Sequence, residues 1–505
     1  MCSNKFCIVE EKKIDDESRM PRNEQPVVFQ GQESESAVPK YKILLCSENV
    51  PPQVNGIARR VGHYASGLSK LGHTVDLLHP GCKGKVWQHV NPWNFSSLMM
   101  VLLPHHFVNY LRQDDYDIVH VVLPLNVSGM LLLVGFKLKR CLLQQSKPAL
   151  VVSWHCNIGD YIGIFASPVV YPIVHFFFSA MGWVHSKLSD RILSPTKSSD
   201  PLIIHQWQPK KRGICATGVS LEQFDPALAT SSWGSIWQSR KQAFLQANNM
   251  KFLILSVGRL SPEKSVDALL KACTQLEDCA VWVVGNGPHR VELEALTDKL
   301  NIPVQFWGYR HGDELHAVYS AADIFVCPSL TETFGQTVNE ALAMTCRVAL
   351  PSVPVFVEAY GAVVPPDAFW TPGFPKEMVS AIQTQLARHA QQDPYGQPDR
   401  DQLMTWDKAC FELSKQYQHA LQDVLLSGGR RQRQGINGWA CLFLPIWCLW
   451  LFCLTIFICL YAGIRSAVGG SSVRYFLSSN IQNCKQRFQR FIQDSHPMIS
   501  KLEAE

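Results

Sequence analysis

The sequence predicts an α/β protein of two Rossmann-like domains facing a central cleft, with a C-terminal membrane helix. Three observations carry this. Short apolar strands alternate with helical stretches from Tyr41 onward, the alternation stops in a polar stretch and restarts at Phe252, and the 27 residues from Gly438 to Ile464 hold no charge. A chain of 505 residues is long for one core, since a domain takes about 150 residues. With 47% hydrophobic and 18% charged residues, and 47 Lys and Arg against 42 Asp and Glu, it is neither wholly disordered nor a basic nucleic-acid binder. Its 17 cysteines form no C-x-x-C pair, which argues against a disulfide framework or a zinc finger and for a reducing compartment.

Residues 1–38 are acidic and lack an apolar run, so they read as a disordered arm. The start shows no signal-peptide core and no transit-peptide character, and synthesis in the cytosol is the expectation. The first domain is expected over 39–220. YKILLC is a buried-type strand, SENVPPQVNG the loop after it, and Ala58, Val61, Tyr64, Ala65, Leu68 and Leu71 mark one face of a helix that Gly72 ends. TVDLLH, DIVHVV and ALVVSWH follow as further strands. Apolar strands separated by helices imply a parallel sheet covered on both faces.

The second domain is expected over 221–400, with strands FLILSVG, AVWVVG, VQFWG and DIFVCP. Helices are expected from about Ser265, Arg290, Asp313 and Gly335. A closing helix and basic linker occupy 401–430. The uncharged run places a transmembrane or re-entrant segment at 436–465, flanked by Arg430, Arg431, Arg433 and Arg465. Apolar residues at helical spacing among Arg474, Lys485, Arg487 and Arg490 make 473–505 an amphipathic basic tail suited to a lipid surface. A second block without Asp, Glu, Lys or Arg, Tyr161 to Ser186, reads as helices on a lipid-touching face or as a buried helix.

The chemistry collects after the strands of the second half. In VGRLSPEK, Arg259 and Lys264 stand just past a strand's carboxyl end and before a helix, a position that suits a diphosphate and the charge it gains on leaving. Solvated surface cations are the alternative. Gly285 and Gly287 in VVGNGP permit close backbone approach, to a ligand or within a structural turn. In SLTETFGQTVNEALA, Glu332 precedes a helix that holds Glu340 about one turn inside, separating the carboxylates by about 10 Å. A carboxylate can accept from a ribose diol, while the Gly335 and Gln336 N–H groups at the helix start can meet phosphate. Asp115-Tyr116-Asp117 has the D-x-D form of some metal sites, but it precedes a strand directly and reads as a solvated loop.

PPQVNG, GRLSPEK, GNGP and ETFGQTVNE, in this order, resemble the retaining GT-B glycosyltransferases of family 4 over roughly residues 41–425. SWHCN, the block with VVYP and TWDKACFELSKQY are most similar to that family's sulfolipid synthases, with phosphatidylinositol mannosyltransferases as rivals. The resemblance implies that Arg259 and Lys264 bind the donor diphosphate, Glu340 the ribose and Glu332 the transferred sugar. Gly56 would face the phosphates, and His155 would lie beside the reacting sugar. Gly285, Gly287, Phe334, Gly335 and Gln336 complete the implied donor site. By residue reading alone, His155 ends a strand as a site residue should, or is a satisfied core histidine.

The function expected is retaining transfer of a sugar from a nucleotide sugar, a UDP-sugar by preference, to a membrane lipid such as diacylglycerol, with sulfoquinovose to diacylglycerol as the specific case. No metal or other cofactor and no nucleic acid is involved, and the catalytic domains face the cytosol. The alternatives are a mannosyl- or glucosyltransferase acting on another lipid or a glycan, a non-catalytic nucleotide-sugar-binding membrane protein, and a UDP-sugar epimerase. The retained basic pair and both glutamates argue against the last two.

Overall fold

The computed structural model describes residues 39–431 apart from residue 48 and segments 52–54, 80–85, 91–97, 103–109, 113–114, 124–126, 144, 156–181 and 200–210. The N-terminal arm, the 436–465 segment, the amphipathic tail and most of the Tyr161–Ser186 block lie outside the described residues. Among the described residues no helix is long and apolar enough to cross a membrane.

The first domain is a six-stranded sheet of β1 (Lys42–Cys46), β2 (Thr74–Leu78), β5 (Ile118–Leu123), β6 (Ala149–Trp154), β7 (Arg191–Ser194) and β8 (Arg212–Ile214), in the order β2-β1-β5-β6-β7-β8. Every pairing is parallel. A separate antiparallel pair, β3 (Val86–Val90) and β4 (Leu98–Leu102), was not expected from the sequence. Strand alternation sorts the core: Ile43 and Leu45 point to one face with Val61, Tyr64 and Leu68 of α1 (Gly56–Lys70). Leu44 and Cys46 point to the other with Leu132, Leu133 and Phe136 of α2 (Val127–Leu143). Burial on both faces is why these strands read as continuous apolar runs.

The second sheet repeats the plan with β9 (Phe252–Val257), β10 (Cys279–Val284), β11 (Val304–Gly308), β12 (Ile324–Val326), β13 (Val348–Pro351) and β14 (Phe369–Trp370), in the order β11-β10-β9-β12-β13-β14. It too is all parallel. Leu253, Leu255, Ala280 and Trp282 face α3 (Ser232–Asn248), α6 (Asp313–Ala321), α7 (Gln336–Ala343) and α8 (Pro354–Tyr360). Ile254, Val281 and Val283 face α4 (Val266–Cys273), α5 (Arg290–Leu300) and α9 (Pro375–Ala390). The expected helix starts agree with the structure to within a residue, a three-residue 3-10 turn at Pro262–Lys264 preceding α4.

The last described helix, α10 (Trp406–Arg431), returns to the first domain. Trp406, Ala409, Cys410, Leu413 and Tyr417 enter the core built on Ile43, Leu45 and Val61. The two chain crossings run side by side: Val219 N–H donates to Met404 O at 2.9 Å, and Trp406 N–H to Val219 O at 3.3 Å. A Cβ on Gly218 would stand 2.3 Å from Trp406 N, so only glycine lets the crossings approach this closely.

Candidate active site

In the second sheet the strand order reverses between β9 and β12, and loops that follow two such neighbours splay apart to open a crevice. The loop after β9 carries Arg259 and Lys264, and the loop after β12 carries Glu332, Phe334 and Gly335. The structure brings these together. Lys264 Nζ donates to Glu332 Oε1 at 2.5 Å, with both side chains mostly but not wholly buried. Arg259 is held from its own turn: Nε donates to Ser261 Oγ at 3.2 Å and NH2 to Glu263 Oε1 at 2.6 Å. Glu263 is buried, and burial alone would raise its pKa. The Ser261 hydrogen bond and the Arg259 charge outweigh this and bring it below the usual carboxylate range. The SPEK turn therefore aims Arg259, with Glu263 as its anchor. Sequence reading did not single out Glu263, since nothing local shows that it is buried on Arg259.

The α7 start shows why its loop has the sequence TFGQ. Gly335 caps the helix at φ 91°, in the left-handed region, and a Cβ there would lie 2.4 Å from Phe356 Cε1. Tyr360 donates its hydroxyl to Gly335 O at 2.7 Å. Phe334 packs edge-on to Tyr360, with ring centroids 5.8 Å apart, and is buried. Phe334 thus shapes the loop from the core side, where the family resemblance had placed it in the donor site.

Glu340 is one turn inside α7, as expected, yet it is not free. It is 2% exposed, forms an ion pair with Arg59 of the first domain, and accepts from the Tyr319 hydroxyl at 2.9 Å on its other oxygen. Arg59 and Tyr319 were not foreseen. Gly56 of α1 comes against the same helix: a Cβ there would lie 3.6 Å from Gln336 Oε1. First-domain residues thus meet the helix start of the second, as a donor bound between the domains would require. Arg59, His63, Gly218, Phe224, Gln336, Glu340 and Trp406 line a small groove at this junction. The contact continues at Glu358 of α8, which accepts from the backbone N–H groups of Lys197 and Ser198 at 2.7 and 2.8 Å.

Gly285 and Gly287 meet a structural requirement of their own. Gly285 adopts φ 131°, and its Cβ would lie 1.8 Å from Gly258 O; that of Gly287 would lie 2.0 Å from Leu260 O. The two loops after β9 and β10 are fused by backbone hydrogen bonds, Gly258 N–H to Val284 O at 2.9 Å and Leu260 N–H to Asn286 O at 3.1 Å. These glycines brace the turn that carries Arg259.

His155 follows β6 and is 6% exposed. Its Nδ1 takes a hydrogen bond from Arg60 and its Nε2 lies 2.8 Å from Ser153 Oγ. Burial and the adjacent guanidinium hold its pKa well below the ordinary histidine value, so it is neutral. Both ring nitrogens are engaged within the protein, at the carboxyl end of β6. Asp115 and Asp117 lie at the amino ends of the first sheet's strands, opposite the carboxyl ends that carry the site, and pair with Lys42 and Lys147. Among the described residues no group of three or more His, Cys, Asp or Glu could hold a metal ion.

Comparison with known proteins bears on the family and the fold. Residues 54–223 match the family described as Glycosyltransferase Family 4, and residues 238–383 match Glycosyl transferases group 1. The chain is 24% identical over 325 residues to sulfoquinovosyl transferase SQD2 of Arabidopsis thaliana, covering 63% of this chain and 59% of that one. It is 22% identical over 343 residues to alpha-monoglucosyldiacylglycerol synthase of Acholeplasma laidlawii, covering 64% and 82%. Among solved structures, sucrose-phosphate synthase of Thermosynechococcus elongatus superposes with a TM-score of 0.50 at 19% identity, covering 78% of this chain and 99% of that one, which shows a common fold.

Proposed function

We propose, for a chain that is a glycosyltransferase carrying a family 4 domain and a group 1 domain, that it moves a sugar with retention from a nucleotide-diphosphate donor to a membrane lipid. The observation that carries the donor side is the Lys264–Glu332 contact at the strand-order reversal, with Arg259 aimed from the adjoining turn. Arg259 and Lys264 bind the diphosphate and stabilise the charge that builds on it as the sugar leaves. Glu332, already on Lys264, faces the transferred sugar, and Glu340 takes the ribose hydroxyls once Arg59 yields its place. Two fixed cations do the work a divalent ion would otherwise do, so the reaction needs no metal.

The lipid acceptor is supported by the relative named for a diacylglycerol product, by the uncharged 438–464 run and by the basic spacing of 473–505. On this reading 436–465 holds the enzyme at a membrane, the catalytic domains face the cytosol, and the donor is a UDP-sugar. Sulfoquinovose transfer to diacylglycerol is the specific reaction favoured, because of the resemblance to the sulfolipid synthases. The test is to incubate membranes containing the full-length protein with UDP- and GDP-sugars and read the lipids by mass spectrometry. A donor-dependent glycolipid that disappears with Lys264→Ala is expected. Transfer only to soluble glycans or proteins would overturn the lipid reading, and an altered nucleotide sugar without transfer would make the protein an epimerase.

A further inference from the structure

Arg60 is a buried cation without a counter-charge. It stands in α1, is 5% exposed, donates to His155 Nδ1 and the Thr217 hydroxyl, and has no partner for Nε. Both of its partners are neutral groups. Among the described residues no carboxylate pairs with it, and Glu340, the acid that α1 does reach, is taken by Arg59. The first turn of α1 contains no acidic residue either, so the positive end of the helix dipole adds to the two arginines. A desolvated guanidinium in such surroundings is costly unless something negative completes it.

The hydrogen bonds behind Arg60 have a fixed direction. A guanidinium only donates, so His155 Nδ1 must accept and the proton of the neutral ring lies on Nε2. Nε2–H then donates to Ser153 Oγ at 2.8 Å, and the Ser153 hydroxyl donates to His120 Nε2 at 2.8 Å. His120 Nδ1–H in turn donates to the Tyr417 hydroxyl of α10 at 2.8 Å. All of these groups are buried, and burial pushes His120 down to about 3, so the order persists at ordinary pH. This row of hydrogen bonds fixes the guanidinium just behind the groove at the domain junction, whose lining includes Arg59 and Gly218, the chain neighbours of Arg60 and of its partner Thr217.

We propose that Arg60 binds an anionic group of the phosphate or sulfonate class on one of the two substrates, and that His155, Ser153, His120 and Tyr417 are its positioning residues. Gly56 lies four residues before Arg60, on the same face of α1, and meets Gln336 across the junction, so this helix face is the one that looks toward the second domain. The donor diphosphate already has Arg259 and Lys264 on that domain. The anion left for Arg60 is therefore an acidic substituent of the transferred sugar or a phosphate in the lipid headgroup. Only the choice between these sources rests on the lipid-glycosylation reading.

Two measurements on the full-length protein in detergent decide this. In an Arg259→Ala/Lys264→Ala background, which removes the diphosphate cations, inorganic sulfate should raise the thermal midpoint saturably. The saturable part should vanish with Arg60→Gln and survive in Arg60→Lys. In the otherwise wild-type enzyme, UDP-sulfoquinovose is compared with UDP-glucose as donor, and phosphatidylinositol with diacylglycerol as acceptor. Arg60→Gln should raise KM about 10–100-fold for whichever substrate carries the anion, the loss expected for a charge-assisted hydrogen bond, and leave its neutral counterpart nearly unchanged. Tyr417→Phe should raise the same KM by a smaller factor. No saturable sulfate effect, one that Arg60→Gln leaves intact, or equal losses on charged and neutral substrates would overturn the proposal. If no lipid is glycosylated at all, the lipid reading fails while the sulfate titration still decides Arg60.

Discussion

Arg259 and Lys264 differ in how they are held, and that difference separates their expected phenotypes. Lys264 contacts Glu332 directly, whereas Arg259 is oriented by the buried Glu263. Arg259→Ala and Lys264→Ala should each lower turnover by about 10²–10³-fold with little change in thermal stability, because each removes a donor aimed at the leaving diphosphate. Glu263→Gln should lower turnover less, since it loosens Arg259 without deleting it. The two glutamates should also separate: Glu332→Ala should act mainly on turnover and Glu340→Ala mainly on donor KM. Steady-state kinetics with the working donor would check this assignment. Equal small effects at both positions would reverse it.

At the level of the element, the loops after β9, β10 and β12 form one braced unit. Gly285→Ala would drive a Cβ to 1.8 Å from Gly258 O at a backbone φ of 131°, and backbone cannot yield as a flexible side chain can. A loss of about 3 kcal/mol is expected from the combined strain and overlap, measured by denaturant unfolding, together with reduced turnover because the Arg259 turn shifts. Gly335→Ala should behave similarly, since its Cβ would meet the Phe356 ring at 2.4 Å, but α7 and α8 can separate slightly to relieve it. Turnover should therefore fall more than stability at Gly335. A Gly285→Ala protein of wild-type stability would mean that the two loops are not fused as described.

Across the whole molecule, buried histidines link stability to pH. His120 titrates near 3 in the folded protein because burial disfavours its charged form, and near 6.5 when unfolded. Below pH 6.5 the unfolded chain binds a proton that the folded one refuses, so the stabilisation is complete above that pH and falls as pH drops toward 3. Between pH 6.5 and 5 the loss from His120 alone should be about 2 kcal/mol, at about 1.4 kcal/mol per pH unit. Urea unfolding at several pH values would measure it, and His120→Gln should flatten the slope. Deleting residues 432–505 tests the other molecular property: activity on lipid in bilayers should fall at least tenfold, while transfer to detergent-dispersed lipid remains. Anchoring raises the local concentration of a membrane acceptor and does nothing for one already dispersed.

The sequence alone determined the double α/β plan and the place of Arg259, Lys264, Glu332 and Glu340, because each of these signals is local. A strand buried on both faces must be apolar throughout, and a loop at a strand's carboxyl end is where such sheets hold ligands. The β3/β4 pair and the short β7, β8, β13 and β14 escaped notice, being brief and without a strong period. Contacts between residues far apart in the chain left no local signature either: Arg59 on Glu340, Glu358 on the 197–198 backbone, and Tyr417 reaching His120. A partial trace existed in two adjacent arginines opening a helix with no acid in its first turn. Only the tertiary structure decided that Gly285 and Gly287 serve the neighbouring loop, that Phe334 belongs to the core and that His155 is spent on Arg60. Those roles depend on which atoms arrive from the next loop, the next helix or the other domain, and distance along the chain carries no information about that.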